Sequence, residues 1–172
     1  YTGGGTYSNI TSTFEISRRR LQMDMVDILY LHRFDPDTDL RESMQAFADL
    51  KSKGQIRYVG VSNFAAWQVM KAIASAAEFD LRIDIVQPMY NLVKRQAEVE
   101  ILPMCMDQDV ACAPYSPLGG GLLTGKYAAK GSGRLTEDDR YAARYGKDYM
   151  HRAAEELSTI AADISVHPAT LA

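Results

Sequence analysis

Val26-Asp27-Ile28-Leu29-Tyr30-Leu31-His32 is a mostly apolar run followed by a loop that contains Pro36. It is too short for a helix and suits a strand buried on both faces, as parallel sheets require. Beyond the loop, Asp39 is placed to cap a helix with Glu42 three residues on, and Leu40, Met44, Phe47 and Leu50 fall on one face. Gly54 is the stop signal. One strand, one loop and one helix make a unit.

The unit recurs. Ile56 to Ser62 is rich in β-forming residues, Ala65 to Glu78 reads as a helix, and Ile83 to Gln87 as a strand. Glu98 to Asp109 is the next helix and Val110 to Tyr115 the next strand. Ahead of them, Ile10, Phe14, Ser17 and Leu21 at helical spacing mark a helix with no strand of its own before it. Such alternation makes a parallel sheet with right-handed crossovers, either an open doubly wound sheet or a closed eight-stranded barrel. Periodicity does not choose between them. The placement of unusual residues favours the barrel: His32, Ser62 with Asn63, Gln87 and Tyr115 each stand at the C-terminal end of a successive strand, the mouth where barrel enzymes carry their sites.

Residues 128–146, rich in Gly, Ala and charge, read as a mobile insertion, and 149–163 as a helix through Ala153, Ala154, Leu157 and Ile160. Ser165 to Pro168 reads as a further helix start close to Ala172, and the first residue is not Met. We therefore expect a single partial barrel domain over residues 1–172, about four parallel strands with flanking helices, in a protein that continues in both directions.

The composition excludes several classes. With 47% hydrophobic and 24% charged residues the chain reads as globular, and its net charge of -3 offers no basic field for nucleic acid or anionic lipid. No apolar run approaches a membrane span and no signal peptide is visible, so a cytoplasmic location is the expectation. Two cysteines, Cys105 and Cys112, build neither a disulfide framework nor a four-ligand zinc site, and read as buried thiols; no metal site is expected. Asn9-Ile10-Thr11 fits a glycosylation sequon by chance. Gly120 to Lys126 matches the first seven positions of a phosphate-binding P-loop, but Tyr127 stands where the magnesium-binding Ser or Thr belongs. Trp67 and Phe34 are placed to line a pocket, although a helix-face Trp and a loop Phe more often pack.

Four blocks now become recognisable. Asp27 to His32, Gly60-Val61-Ser62-Asn63-Phe64, Gln87-Pro88-Met89-Tyr90-Asn91 and Tyr115-Ser116-Pro117-Leu118-Gly119-Gly120-Gly121 resemble, in order and spacing, the central blocks of aldo-keto reductases. Leu122 to Tyr127 is most similar to the bacterial and fungal branches. The resemblance implies a (β/α)₈ TIM barrel that reduces a small-molecule aldehyde or ketone with hydride from NADPH.

Of the family's Tyr, Lys, Asp and His tetrad, only His32 has a counterpart here. An imidazole at the strand mouth suits the role, because it can donate to the carbonyl oxygen on which negative charge develops. The plain alternative is a hydrogen-bonded core histidine. By the same resemblance, Ser62, Asn63 and Gln87 bind the nicotinamide carboxamide and Tyr115 stacks on its ring. Ser116, Leu118 and Gly120 approach ribose and pyrophosphate. Read alone, Asn63 is equally a turn former and Tyr115 a core aromatic. The tetrad's Asp, Tyr and Lys are expected before Tyr1, and the groups that grip the adenosine 2′-phosphate after Ala172; Tyr30 is no substitute acid. Three readings stay open: an NADP(H)-dependent reductase whose 172-residue piece is inactive alone, a cofactor-binding regulatory subunit like those of potassium channels, and an interaction module without cofactor. Two unpaired sheet edges predict a tendency to self-associate.

Overall fold

Four parallel strands lie in the order β1-β2-β3-β4: β1 (Val26–Leu31), β2 (Ile56–Ser62), β3 (Ile85–Gln87) and β4 (Ala111–Cys112). The computed structural model describes residues 4–128 and 131–172. Among the described residues the α-helices are α1 (Tyr7–Leu21), α2 (Leu40–Ser52), α3 (Ala66–Ala77), α4 (Ile101–Asp107), α5 (Arg134–Glu137), α6 (Asp139–Tyr145), α7 (Asp148–Asp163) and α8 (Pro168–Leu171).

The chain divides into two compact units, each described by itself. The first runs up to Pro88 and takes in Glu98–Ala113, so it holds the whole sheet. Because strand side chains alternate, Leu31, Val59, Val61 and Val86 face one way and are buried with Met44, Phe47, Leu50, Val69 and Ala72 of α2 and α3. The opposite face, with Ile28, Tyr58 and Ile85, borders a cavity of about 860 Å³. Gly60 on that face is required by a close approach, since a Cβ there would sit 2.5 Å from the Tyr30 ring. The second unit, Met89–Ala97 with the described residues from Pro114 onward, buries Leu122, Leu123, Tyr145, Met150, Ala154 and Leu157.

Several expectations need correction. The third strand begins at Ile85 rather than Ile83, because Asp84 takes the ladder position with its side chain, accepting from the Val59 N–H at 2.8 Å. The fourth ends at Cys112: the Ala113 N–H still donates to Val86 at 2.9 Å, but the next donor from the third strand would be Pro88, which has no N–H. Tyr115 therefore lies outside the strand, in an isolated parallel bridge with Met89. α4 is confined to Ile101–Asp107, with Pro103 in the first turn where a missing donor is tolerated. Asp39 does cap α2, accepting from Arg41, yet Glu42 closes no capping box; its carboxylate accepts from the Tyr7 N–H at 2.9 Å and so ties α1 to α2.

The largest departure concerns residues 128–146. Ala129 and Lys130 lie outside the described residues, but the rest is mostly helical, with Asp138 capping α6 through the Arg140 N–H. Tyr141 and Tyr145, one helical turn apart, face the second core, and Tyr145 is fully buried. α8 begins at Pro168 as expected, capped by His167, whose side chain accepts from the Ala169 N–H. Among the described residues no helix is long and apolar enough to cross a membrane.

Candidate functional site

In the first unit the register places the strand ends level. Leu31 pairs with Val61 and Ser62 with Gln87, so His32, Ser62, Asn63 and Gln87 stand along one edge of the sheet. Hydrogen bonds join them. The buried Ser62 hydroxyl donates to the Gln87 carbonyl at 2.9 Å, and the Asn63 N–H reaches the same oxygen at 3.4 Å. Asn63 has a left-handed backbone (φ 57°), a conformation that Asn tolerates better than most residues. That turn lets its amide donate to the His32 carbonyl at 2.9 Å and to the Ser62 hydroxyl at 3.1 Å.

His32 is exposed and lines, with Tyr30, Phe34 and Asp35, a cavity of about 520 Å³ bounded by Ile10 and Phe14 of α1. The Asp35 carboxylate is held below its ordinary range by the Thr38 hydroxyl and by the Gly5 and Asp37 amides. Burial raises the Tyr30 phenol. Phe34 packs edge-on against Phe64 at 5.5 Å and Trp67 at 5.8 Å, so it is held by aromatic contacts while Trp67 remains exposed.

The second unit carries the other predicted residues. Tyr115 is half-buried, and its carbonyl accepts from the Tyr90 N–H at 3.3 Å. After it the chain turns sharply: Ser116 has φ 59°, and Gly119, Gly120 and Gly121 all have positive φ. Glycine is demanded at Gly120 twice over, by its φ of 67° and because a Cβ would lie 2.8 Å from the Tyr141 ring. Three carbonyls of this loop are held by side chains: Ser116 by Asn91, Gly120 by Tyr127 and Gly121 by Thr124. The loop closes on itself: the Gly119 N–H donates to the Ser116 carbonyl at 3.0 Å and the Gly121 N–H to the Leu118 carbonyl at 2.9 Å. Lys126, of the P-loop-like stretch, lies 4.9 Å above the Tyr127 ring, and the next described helix begins only at Arg134.

Asn91, Tyr141 and Tyr145 had escaped the sequence reading. The i,i+4 tyrosines beside a capping Asp138 were the available signal, and the Gly and charge content masked it. Burial pushes the Cys105 thiol up to about 11 and raises Cys112 as well. Among the described residues no group of three or more His, Cys, Asp or Glu could hold a metal ion.

A parallel sheet with helices on one face and its polar residues along the C-terminal edge is the architecture of a (β/α) barrel. The chain belongs to the Aldo/keto reductase family, whose model matches residues 1–172. It is 38% identical over 120 residues to norsolorinic acid reductase B of Dothistroma septosporum, covering 69% of this chain and 31% of that protein. It is 36% identical over 152 residues to a probable voltage-gated potassium channel subunit beta of Arabidopsis thaliana, covering 87% and 45%. Aflatoxin B1 aldehyde reductase member 2 of Rattus norvegicus is 34% identical over 150 residues, covering 86% and 41%. The chain spans half or less of the length of these curated relatives.

Proposed function

We propose that the full-length protein carrying this sequence is an NADP(H)-dependent oxidoreductase that reduces small aldehydes or ketones to alcohols, and that this chain is the central part of its barrel. The observation that carries the reading is the alignment of His32, Ser62, Asn63 and Gln87 on one sheet edge. The side-chain chemistry fits a nicotinamide cofactor: the Gln87 amide carries both a donor and an acceptor for a carboxamide, and Asn63, whose Nδ2 already donates to His32 and Ser62, adds an amide oxygen. By the family resemblance the loop from Ser116 to Gly121 is the stretch that would meet the phosphate-bearing part of the cofactor. When bound, the cofactor supplies the hydride.

In this reading His32 donates a hydrogen bond to the substrate oxygen and stabilises the charge that develops there. Asn63 and Gln87 hold the carboxamide, and the Tyr115 ring fixes which nicotinamide face is presented. Ser116, Leu118 and Gly120 meet ribose and pyrophosphate. The proton donor Tyr with its Lys and Asp belongs to the remainder of the protein, as does the grip on the 2′-phosphate. The enzyme of this reading works in the cytoplasm on a small carbonyl compound, with a net charge of -3 that offers no basic field for nucleic acid. NADPH fluorescence titration and a carbonyl-substrate screen on the full-length protein test the proposal. Saturable binding with turnover supports it; no binding refutes it.

A second reading has its own observation, the likeness to two probable potassium channel beta subunits, of Arabidopsis thaliana and Oryza sativa subsp. japonica. It makes the protein a cofactor-binding regulatory subunit. NADPH binding without turnover on any carbonyl in the screen would favour it.

A further inference from the structure

We infer that Asn91 is a positioning residue for the loop from Ser116 to Gly121, and thereby for the phosphate-bearing part of the cofactor. The inference rests on the cofactor reading above, but on different observations.

Asn91 is only 5% exposed, and both ends of its amide are used. Its Nδ2 donates to the Ser116 carbonyl at 2.9 Å and to the Tyr145 hydroxyl at 3.2 Å, while its Oδ1 accepts from the Val93 N–H at 3.1 Å. Its backbone closes a tight turn with Lys94, N–H to carbonyl in both directions at 3.2 Å and 3.0 Å. The amide is therefore fixed before it meets the loop. On the far side Tyr145, fully buried, donates its hydroxyl to Met89 Sδ at 3.5 Å. One buried polar centre thus joins the segment after β3, the loop after Tyr115 and the end of α6.

What the centre holds is a strained point. Ser116 is not glycine, yet its backbone is left-handed, a conformation disfavoured for residues with a Cβ. Its carbonyl accepts from Asn91 and also from the Gly119 N–H at 3.0 Å. Two donors on one oxygen fix that peptide plane. The course of the rest of the loop depends on it, since the Gly119 N–H is anchored on that oxygen and, after Leu118 at φ -95°, Gly119, Gly120 and Gly121 all turn to positive φ. A residue that only filled space could be replaced by an isostere without moving the loop. Asn91 needs a donor at Nδ2 specifically, and a carboxylate there would set oxygen against the Ser116 oxygen.

The experiment compares wild type, Asn91→Asp, Asn91→Ala and Tyr145→Phe in the full-length protein, reading thermal midpoint, NADPH affinity by fluorescence titration, and steady-state constants. Asn91→Asp is expected to raise the Kd and the cofactor KM by about tenfold or more, with kcat at saturating NADPH and the carbonyl KM within about twofold. Tyr145→Phe, which leaves the bond to Ser116, should bind NADPH nearly as wild type does. If wild type does not bind NADPH, the cofactor reading fails and takes this assignment with it. If wild type binds, and folded Asn91→Asp or Asn91→Ala binds within about twofold of it, the assignment of Asn91 alone is overturned. Should both variants fail to fold, Asn91 holds the fold rather than the loop, and the assignment likewise falls.

Discussion

The side-chain amide of Asn63 donates to the backbone carbonyl of His32 at 2.9 Å, tying the turn after β2 to the end of β1. That bond holds together two residues proposed to act on different molecules, the cofactor and the substrate. Replacing Asn63 by Ala removes the bond, worth about 1 kcal/mol, and puts a Cβ residue without Asn's tolerance at φ 57°. We expect Asn63→Ala to lower unfolding free energy by about 1–2 kcal/mol and Asn63→Gly by less, because glycine keeps the backbone at ease. Equal losses in chemical denaturation would show that the backbone conformation contributes nothing.

Gly60 tests the face of the sheet opposite the helices. A Cβ there would meet Tyr30 Cδ1 and Cε1 at 2.5 Å and Ile85 Cγ2 at 3.0 Å. Gly60→Ala should destabilise by about 1–3 kcal/mol through overpacking. Since the tightest contact is one ring, adding Tyr30→Ala should recover part of the loss. A double-mutant cycle with strictly additive effects would place the strain elsewhere.

How much of this was legible depended on what each signal encodes. The four strands and α1 to α3 follow from periodicity, because burial of Leu31, Val59 and Val61 on one side and Met44 and Phe47 on the other imposes it. The strand ends did not, since Asp84 replaces a ladder acceptor with its own carboxylate, and no apolar pattern records that. His32, Ser62, Asn63 and Gln87 were findable because strand ends in a parallel sheet must fall level. Asn91 was not: a buried amide is recognised by its partners, and Ser116 and Tyr145 lie 25 and 54 residues away in sequence.

Cys105 gives a prediction about reactivity and pH. Burial pushes its thiol up to about 11, so the reactive thiolate is scarce at neutral pH. Alkylation by iodoacetamide at pH 7.5 should be far slower than for free cysteine, with mass spectrometry of the peptide containing Cys105 as the measure. The sign of the linkage follows. A thiol raised above its unfolded value keeps its proton in the folded state, so its contribution to stability is complete below about pH 8.5 and is lost as pH climbs toward about 11. Labelling of the native protein as fast as of the unfolded chain would contradict the burial.

Asp138 titrates at the other end of the scale. The Arg140 guanidinium and N–H hold its carboxylate down to about 2, while it caps α6. A depressed folded value means the contribution is present above the ordinary carboxylate range near 4 and is lost as pH falls from about 4 to about 2. Asp138→Asn keeps a capping oxygen but no charge, so its stability should vary less with pH across that window. An identical acid profile for both proteins would rule out the capping carboxylate as the titrating group.

His32 and Tyr115 separate chemistry from binding in the full-length protein. An imidazole that stabilises developing charge on the substrate oxygen contributes only as the hydride arrives, so His32→Ala should lower kcat by about 10²–10³ and leave NADPH affinity unchanged. An aromatic face stacked on nicotinamide contributes in the bound state as well, so Tyr115→Ala should weaken NADPH binding by about 1–2 kcal/mol. Gln87→Ala should act mainly through a misoriented ring, visible as a loss of kcat with a modest change in Kd. The 172-residue chain alone should show no turnover, because the resemblance puts the proton donor in the remainder of the protein. NADPH oxidation by that chain above its own His32→Ala control would mean that a proton donor lies within these residues. An unchanged cofactor affinity in Tyr115→Ala would remove the stacking role while leaving the His32 assignment standing, since the two rest on different residues and different measurements.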